Sequence, residues 1–159
     1  MTKRRHRLVV AVIATGLIVA SAALAWDGTA RLGAEQAGED AVEVARESVV
    51  AILSYRPDSA EEDLATAARE WLTGRFLEDY SQLITTVVVP NAIQKDITAS
   101  ARVPAAAVVS ASADRAVLLA YVDQTTAVGK ESPTQTNSSV RVTMERVDGR
   151  WLIAGFDQI

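Results

Sequence analysis

The chain has no cysteine, one histidine, four prolines and few aromatic residues: three Trp, three Tyr and two Phe. Without thiols there can be neither a disulfide nor a thiolate metal site. The single histidine is His6, and it lies among Lys3, Arg4, Arg5 and Arg7 ahead of the first apolar run. Everything after that run therefore lacks imidazole. This excludes a Ser-His-Asp triad, a histidine general base and a histidine-ligated metal there. There is no phosphate-binding glycine loop and no carboxylate pair at a recognisable catalytic spacing. With so few aromatic rings, the core must rest on Val, Leu, Ile and Ala. Beyond the N-terminus positive charge is outnumbered, 12 basic residues against 20 acidic ones. All 20 acidic residues follow the apolar run, so the net charge of −4 understates how acidic the main body is. Such a body repels phosphate backbones, which argues against nucleic-acid binding.

What is present begins with Leu8 to Trp26, 19 residues without a charge. As a helix they would extend roughly 28 Å, close to the roughly 30 Å hydrocarbon core of a bilayer. Cations precede this segment and an acidic stretch follows it, so the positive-inside rule puts the N-terminus in the cytoplasm and the remainder outside. Trp26 stands where an interfacial aromatic would anchor the helix end. Ala23-Leu24-Ala25 matches the small-x-small pattern of a signal-peptide cleavage site, although the apolar run is longer than a usual h-region. Both readings export the remainder. The expected organisation is a cytoplasmic basic segment (1–7), a single-pass anchor (8–26), a linker or frayed helix start (27–39) and one extracytoplasmic domain (40–159). About 130 residues suffice for one domain with its own core.

Within that domain, Ala37, Ala41, Val44, Ser48, Ile52 and Tyr55 recur at helical spacing, and the helix should end near Arg56-Pro57. Ser59 with Glu62 reads as a capping box for a second helix through Leu64, Ala67, Ala68 and Trp71, closing at Gly74. A third helical stretch carries Phe76, Tyr80, Leu83 and Val87, with a break or kink at Pro90. From Ala101 the pattern changes to strands. Arg102 to Ser110 is rich in Val and Ala, Ser112-Ala113-Asp114 is a turn, and Arg115 to Ala127 is a long strand. Gly129 to Thr136 reads as a polar loop. Ser139 to Val147 alternates, with Val140, Val142 and Met144 inward, and Asp148-Gly149 is a hairpin turn into a closing strand from Trp151 to Phe156. Helices followed by an antiparallel meander define an α+β class.

Several residues invite a chemical reading. Asp58, Glu61, Glu62 and Asp63 are acidic, but carboxylates at a helix start are accounted for by the helix dipole, and the Ca²⁺-loop pattern is missing. Neither a metal nor a cofactor is expected. Glu78, Asp79 and Asp123 are the candidate buried bases, and strand alternation puts Asp123 on the same face as Tyr121. Trp71, Phe76, Tyr80, Tyr121 and Trp151, together with Asp123, are the candidate lining of a pocket, or simply core. Asn137-Ser138-Ser139 matches a glycosylation sequon, a short and weakly specific pattern.

Ile52-Leu53-Ser54-Tyr55, Leu72-Thr73-Gly74-Arg75-Phe76 with Tyr80, Ala120-Tyr121-Val122-Asp123-Gln124 and Arg146 to Ile153 occur in this order after a basic N-terminus and a single apolar span. In these features the chain resembles the Mce-associated membrane proteins of actinobacteria, accessory proteins of the Mce lipid transporters. The resemblance implies a cone similar to nuclear transport factor two and SnoaL, with helices against a curved antiparallel sheet. It also implies a non-catalytic role at the plasma membrane, assembling or stabilising a lipid or sterol import complex. Its expected partners are Mce transporter subunits or related Mce-associated proteins. The competing expectations are a module that binds a lipid or small molecule in the cone, and an isomerase-like enzyme using Asp123.

Overall fold

The computed structural model describes residues 32–159. The basic segment 1–7, the expected anchor 8–26 and the beginning of the expected linker lie outside the described residues. Among the described residues no helix is long and apolar enough to cross a membrane.

The first helix, α1, is already formed at residue 32 and runs to 53, so most of the stretch read as a linker or frayed start is regular helix. Its buried stripe is Ala37, Ala41, Ala45, Ser48, Val49 and Ile52, with Val44 only half-buried. Small residues here let the helix lie close to the sheet. Ser48 is accommodated because its hydroxyl donates to the Val44 carbonyl at 2.8 Å, one helical turn back. The helix ends before Arg56-Pro57 because the next residues join the sheet edge. The Tyr55 N–H donates to the Ala99 carbonyl at 2.9 Å, and the Ala99 N–H returns a bond to Tyr55 at 3.0 Å.

Helix α2 spans Ala60–Trp71. The Ser59–Glu62 capping box does not form: the Ser59 hydroxyl donates to the Asp63 carboxylate at 2.6 Å instead. Gly74 also departs from expectation. At φ 59° it opens helix α3 (Gly74–Leu83), while α2 closes on extended Leu72. That extension serves the sheet, since the Thr73 N–H donates to the Ile153 carbonyl at 3.0 Å.

After α3 the helix widens into a π turn over Ile84–Val88 and resumes as α4, Val89–Lys95. Pro90 lacks an N–H, so regular i→i−4 bonding must fail around it, and a π turn is one way through. The widening changes the phase of the stripe. Tyr80, Ile84, Val89 and Ala92 are buried, whereas Leu83 and Val87, expected inward, are each 48% exposed. Asp96 then stops α4 in the left-handed region at φ 53°, which a short polar side chain tolerates.

The sheet is a four-stranded antiparallel meander in the order β1 (Ile97–Ala111), β2 (Arg115–Val128), β3 (Thr134–Val147), β4 (Arg150–Gln158). β1 begins earlier than the Val/Ala-rich stretch suggested, and β3 begins at Thr134, inside the segment read as a loop. The β3–β4 hairpin is as expected: Asp148 and Gly149 both have positive φ, 51° and 81°, as a type I′ turn requires. Bulges between Arg102 and Ala105, between Val108 and Ser110, and opposite Thr143–Met144 bend the sheet. Pro104, which cannot donate to a ladder, sits in the first of these on edge strand β1. There the Arg46 guanidinium donates to the Val103 carbonyl at 2.8 Å.

All the helices pack on one face of the sheet. Leu118, Val122, Val142, Met144 and Ile153 project from it, fully buried, against Leu64 of α2 and Val49 of α1. Each aliphatic buried this way contributes about 1.5–3 kcal/mol of transfer free energy.

Candidate functional site

The structure does not bring the six sequence candidates together. Trp151 and Tyr80 belong to the core. Trp151 follows the hairpin and lies under the helices, and the Arg146 guanidinium sits 5.8 Å above its ring centroid. Tyr80 donates its hydroxyl proton to the Ile52 carbonyl at 2.7 Å, tying α3 to the end of α1. Burial, and secondarily neighbouring Tyr55, push the Tyr80 pKa above the usual phenolic value. Phe76 is partly buried, stacked on Phe156 at 6.4 Å and tilted against Tyr80 at 6.1 Å. Trp71 is half-buried beside Glu62, Asp63, Thr66 and Glu70 in a shallow groove between α2 and Ala51 of α1.

Tyr121 and Asp123 share a face of β2, as alternation required, but it is the face turned away from the helices. Tyr121 is 51% exposed there. Neither residue looks into the interior of the cone. The other two candidate bases are no closer to it: Glu78 is exposed, and Asp79 pairs with Arg75 one turn away on α3 at 3.4 Å. The acidic residues opening α2 do not converge either. Among the described residues no three His, Cys, Asp or Glu side chains gather as a metal-binding group.

One cluster does form around Asp123. The register puts Arg102, Asp123 and Asn137 side by side on β1, β2 and β3. Arg102 donates to one carboxylate oxygen at 2.7 Å and the Asn137 amide donates to the other. Ser100, Thr125, Gln135 and Thr136 line the same concavity of about 180 Å³. Gln124, on the opposite face, reaches the Leu53 carbonyl at 3.3 Å. The two donors engage both oxygens of the carboxylate. This arrangement links three adjacent strands on the face of the sheet turned away from the helices. Arg102 and Asn137 could not be picked from the chain, because their roles follow from cross-strand register. The one signal available was the Asn137 sequon, which points elsewhere.

A long helix laid along edge strand β1, with shorter helices covering the same face of a curved four-stranded meander, is an architecture shared with several solved structures. The structure of an IcmL-like type IV secretion system protein from Legionella pneumophila superposes with a TM-score of 0.63 at 7% identity, over 74% of this chain and 88% of that one. A periplasmic fragment of TraM gives 0.61 at 11% identity, over 76% and 95%. At such identities the likeness is one of fold alone. The chain belongs to the family described as uncharacterized protein Rv1363c/MT1408-like, whose model matches residues 6–156. Within that range of similarity, the Mycobacterium tuberculosis protein named outer membrane protein Rv1973 is 48% identical over 147 residues, covering 92% of this chain and 91% of that protein.

Proposed function

We propose that this protein is a non-catalytic, membrane-anchored accessory subunit that assembles or stabilises an Mce-type lipid or sterol import complex in the cell envelope. The observation that carries the reading is the filled interior. Where an enzyme or carrier with this architecture would need space beneath the sheet, Leu118, Val122, Val142, Met144 and Ile153 meet Leu64 and Val49 and are fully buried. A domain packed this way works through its surface. The same packing speaks against a lipid held inside a nuclear-transport-factor-two-like cone, and the doubly engaged Asp123 speaks against an isomerase. The name of the relative Rv1973 supports an envelope location, and the basic start followed by Leu8–Trp26 supports a single span with the domain outside the cytoplasm. Tethering raises the domain's effective concentration beside an embedded partner.

The test combines affinity capture from detergent-solubilised membranes with lipid uptake. Mce subunits should co-purify with the full-length chain. Glu78→Gln, Asp79→Asn and Asp123→Asn should each leave transporter levels and uptake unchanged, while deletion of 8–26 should lower both. An amide variant that stays folded, membrane-bound and partnered yet loses uptake would overturn the scaffold reading.

A further inference from the structure

α1 runs antiparallel to β1, and three contacts fix its alignment. Ser54 and Tyr55 bond to Ala101 and Ala99 at the start of β1, Arg46 reaches Val103 at its middle, and Gly38 lies against Val108 and Ala111 at its end. A Cβ built on Gly38 would come within 3.1 Å of Val108, so helix and strand are at their closest there. The first turn of α1, from Leu32, therefore projects about 9 Å beyond the level of Gly38, at the rise of an α-helix. It reaches the end of the sheet formed by the Ser112–Asp114 turn and the β3–β4 hairpin, which the Arg146 N–H joins through the Asp114 carbonyl at 2.8 Å.

Exposed apolar side chains occur on three elements at this end. Leu32 is 66% exposed, Val109 65% and Val147 39%. Val109 falls in the bulge between Val108 and Ser110, where it has no partner on β2. Charge here is slightly acidic: Arg115 pairs with Glu145 at 3.1 Å, Arg146 and Arg150 flank the hairpin with Asp148, Asp114 lies in the neighbouring turn, and α1 adds Glu35 and Glu39. Only residues 27–31 separate Leu32 from the apolar run that ends at Trp26. A connection that short reaches on the order of 20 Å even when fully extended.

We propose that this end of the domain rests on the lipid surface, with Leu32, Val109 and Val147 entering the boundary between headgroups and acyl chains. The inference depends on the anchoring part of the proposed function, because the tether is what holds this end, and no other, against the bilayer. The contact is apolar, not electrostatic, since the end carries no excess of positive charge to attract anionic lipid. A few aliphatic side chains would hold a free domain weakly. A tethered domain needs no more, because binding has become intramolecular.

The absence of cysteine makes a direct test possible. Val12→Cys, Val109→Cys and Lys130→Cys, each in the full-length chain, are labelled with an environment-sensitive fluorophore and reconstituted into phosphatidylcholine vesicles. Position 130 is the control, in the β2–β3 connection at the opposite end of the sheet. The label at 109 should lose most of its emission to quenchers carried on shallow acyl positions and be shielded from aqueous iodide, and the label at 130 should behave the other way round. Added phosphatidylglycerol or high salt should change neither. Iodide access at 109 equal to that at 130 overturns the inference, and so does shielding at 109 without any lipid quenching, which would signal a protein contact. The label at 12 separates the two failures. If deep lipid quenchers reach it while 109 stays in water, the inference alone fails. If they do not reach it, the anchoring reading fails and the inference with it.

Discussion

β2 carries two different environments in one strand. From Ala116 to Val122 its inward residues are buried, and three of them face a buried partner on β3: Ala116 opposite Met144, Leu118 opposite Val142 and Ala120 opposite Val140. From Asp123 to Val128 no residue is fully buried, and the partners on β3, Thr134 to Asn137, are polar and exposed. The backbone ladder continues unbroken through both halves. The hydrogen-bonded frame therefore does not need the core in order to extend, but most of the burial energy lies in the first half. In the second half the ladder is supplemented only by side-chain pairs such as Arg102–Asp123–Asn137, which are worth much less per contact.

This contrast predicts a gradient of mutational cost. The largest effect belongs to the covered half. Trp151→Ala removes a ring 5% exposed and should cost about 3–5 kcal/mol, measured by urea denaturation of the full-length protein in detergent. A loss under about 1 kcal/mol would erase the distinction between the halves. An intermediate effect is expected for Tyr80→Phe, which leaves the Ile52 carbonyl without its hydroxyl donor and should cost about 1–2 kcal/mol. The same substitution has a pH signature. Because burial raises the Tyr80 pKa, the folded state keeps its proton longer than the unfolded chain. The resulting stability is fully present below pH ~10 and is lost as the pH rises further. The phenylalanine variant should show a shallower alkaline decline, with a remainder from Tyr55, whose pKa burial also raises. The smallest effect lies in the overhanging half. Asp123→Asn should cost at most about 1 kcal/mol, because its ion-pair partner Arg102 is 77% exposed, and the difference should shrink in high salt. A large, salt-independent loss would mean that Asp123 organises the sheet and does not merely decorate it.

The covered half was also the readable half. Val140, Val142 and Met144 alternate against polar neighbours because one face meets the core, and Asp148-Gly149 is demanded by the turn it makes. Thr134 to Ser138 have no such contrast. They are held in a strand by the ladder to β2, which local pattern does not reveal, so the segment reads as a loop. Helical spacing misleads where local backbone geometry departs from a regular helix. The π turn before Pro90 moved the buried stripe off Leu83 and Val87 and onto Ile84 and Val89. Gly74 has the positive φ of a helix stop, yet it begins a helix because Leu72 and Thr73 are drawn out to meet Ile153. The candidate residues divide: Tyr80 and Trp151 are core, Trp71 and Phe76 pack against it, and Tyr121 and Asp123 stand on the other face. Shared face was correct for Tyr121 and Asp123, but which face the helices would cover depended on packing that no single strand specifies.

The alignment of α1 with β1 has a mechanical consequence. The helix is fastened to the strand at its far end by Ser54 and Tyr55, in the middle by Arg46 and near its start by Gly38. Tension applied at residue 32 along the helix axis would load these fastenings together, in shear, instead of peeling them apart one by one. Resistance to such a pull is set by the rate of unfolding and not by equilibrium stability. A domain tugged through its N-terminal connection thus behaves as a strut, passing the load into the whole edge of the sheet.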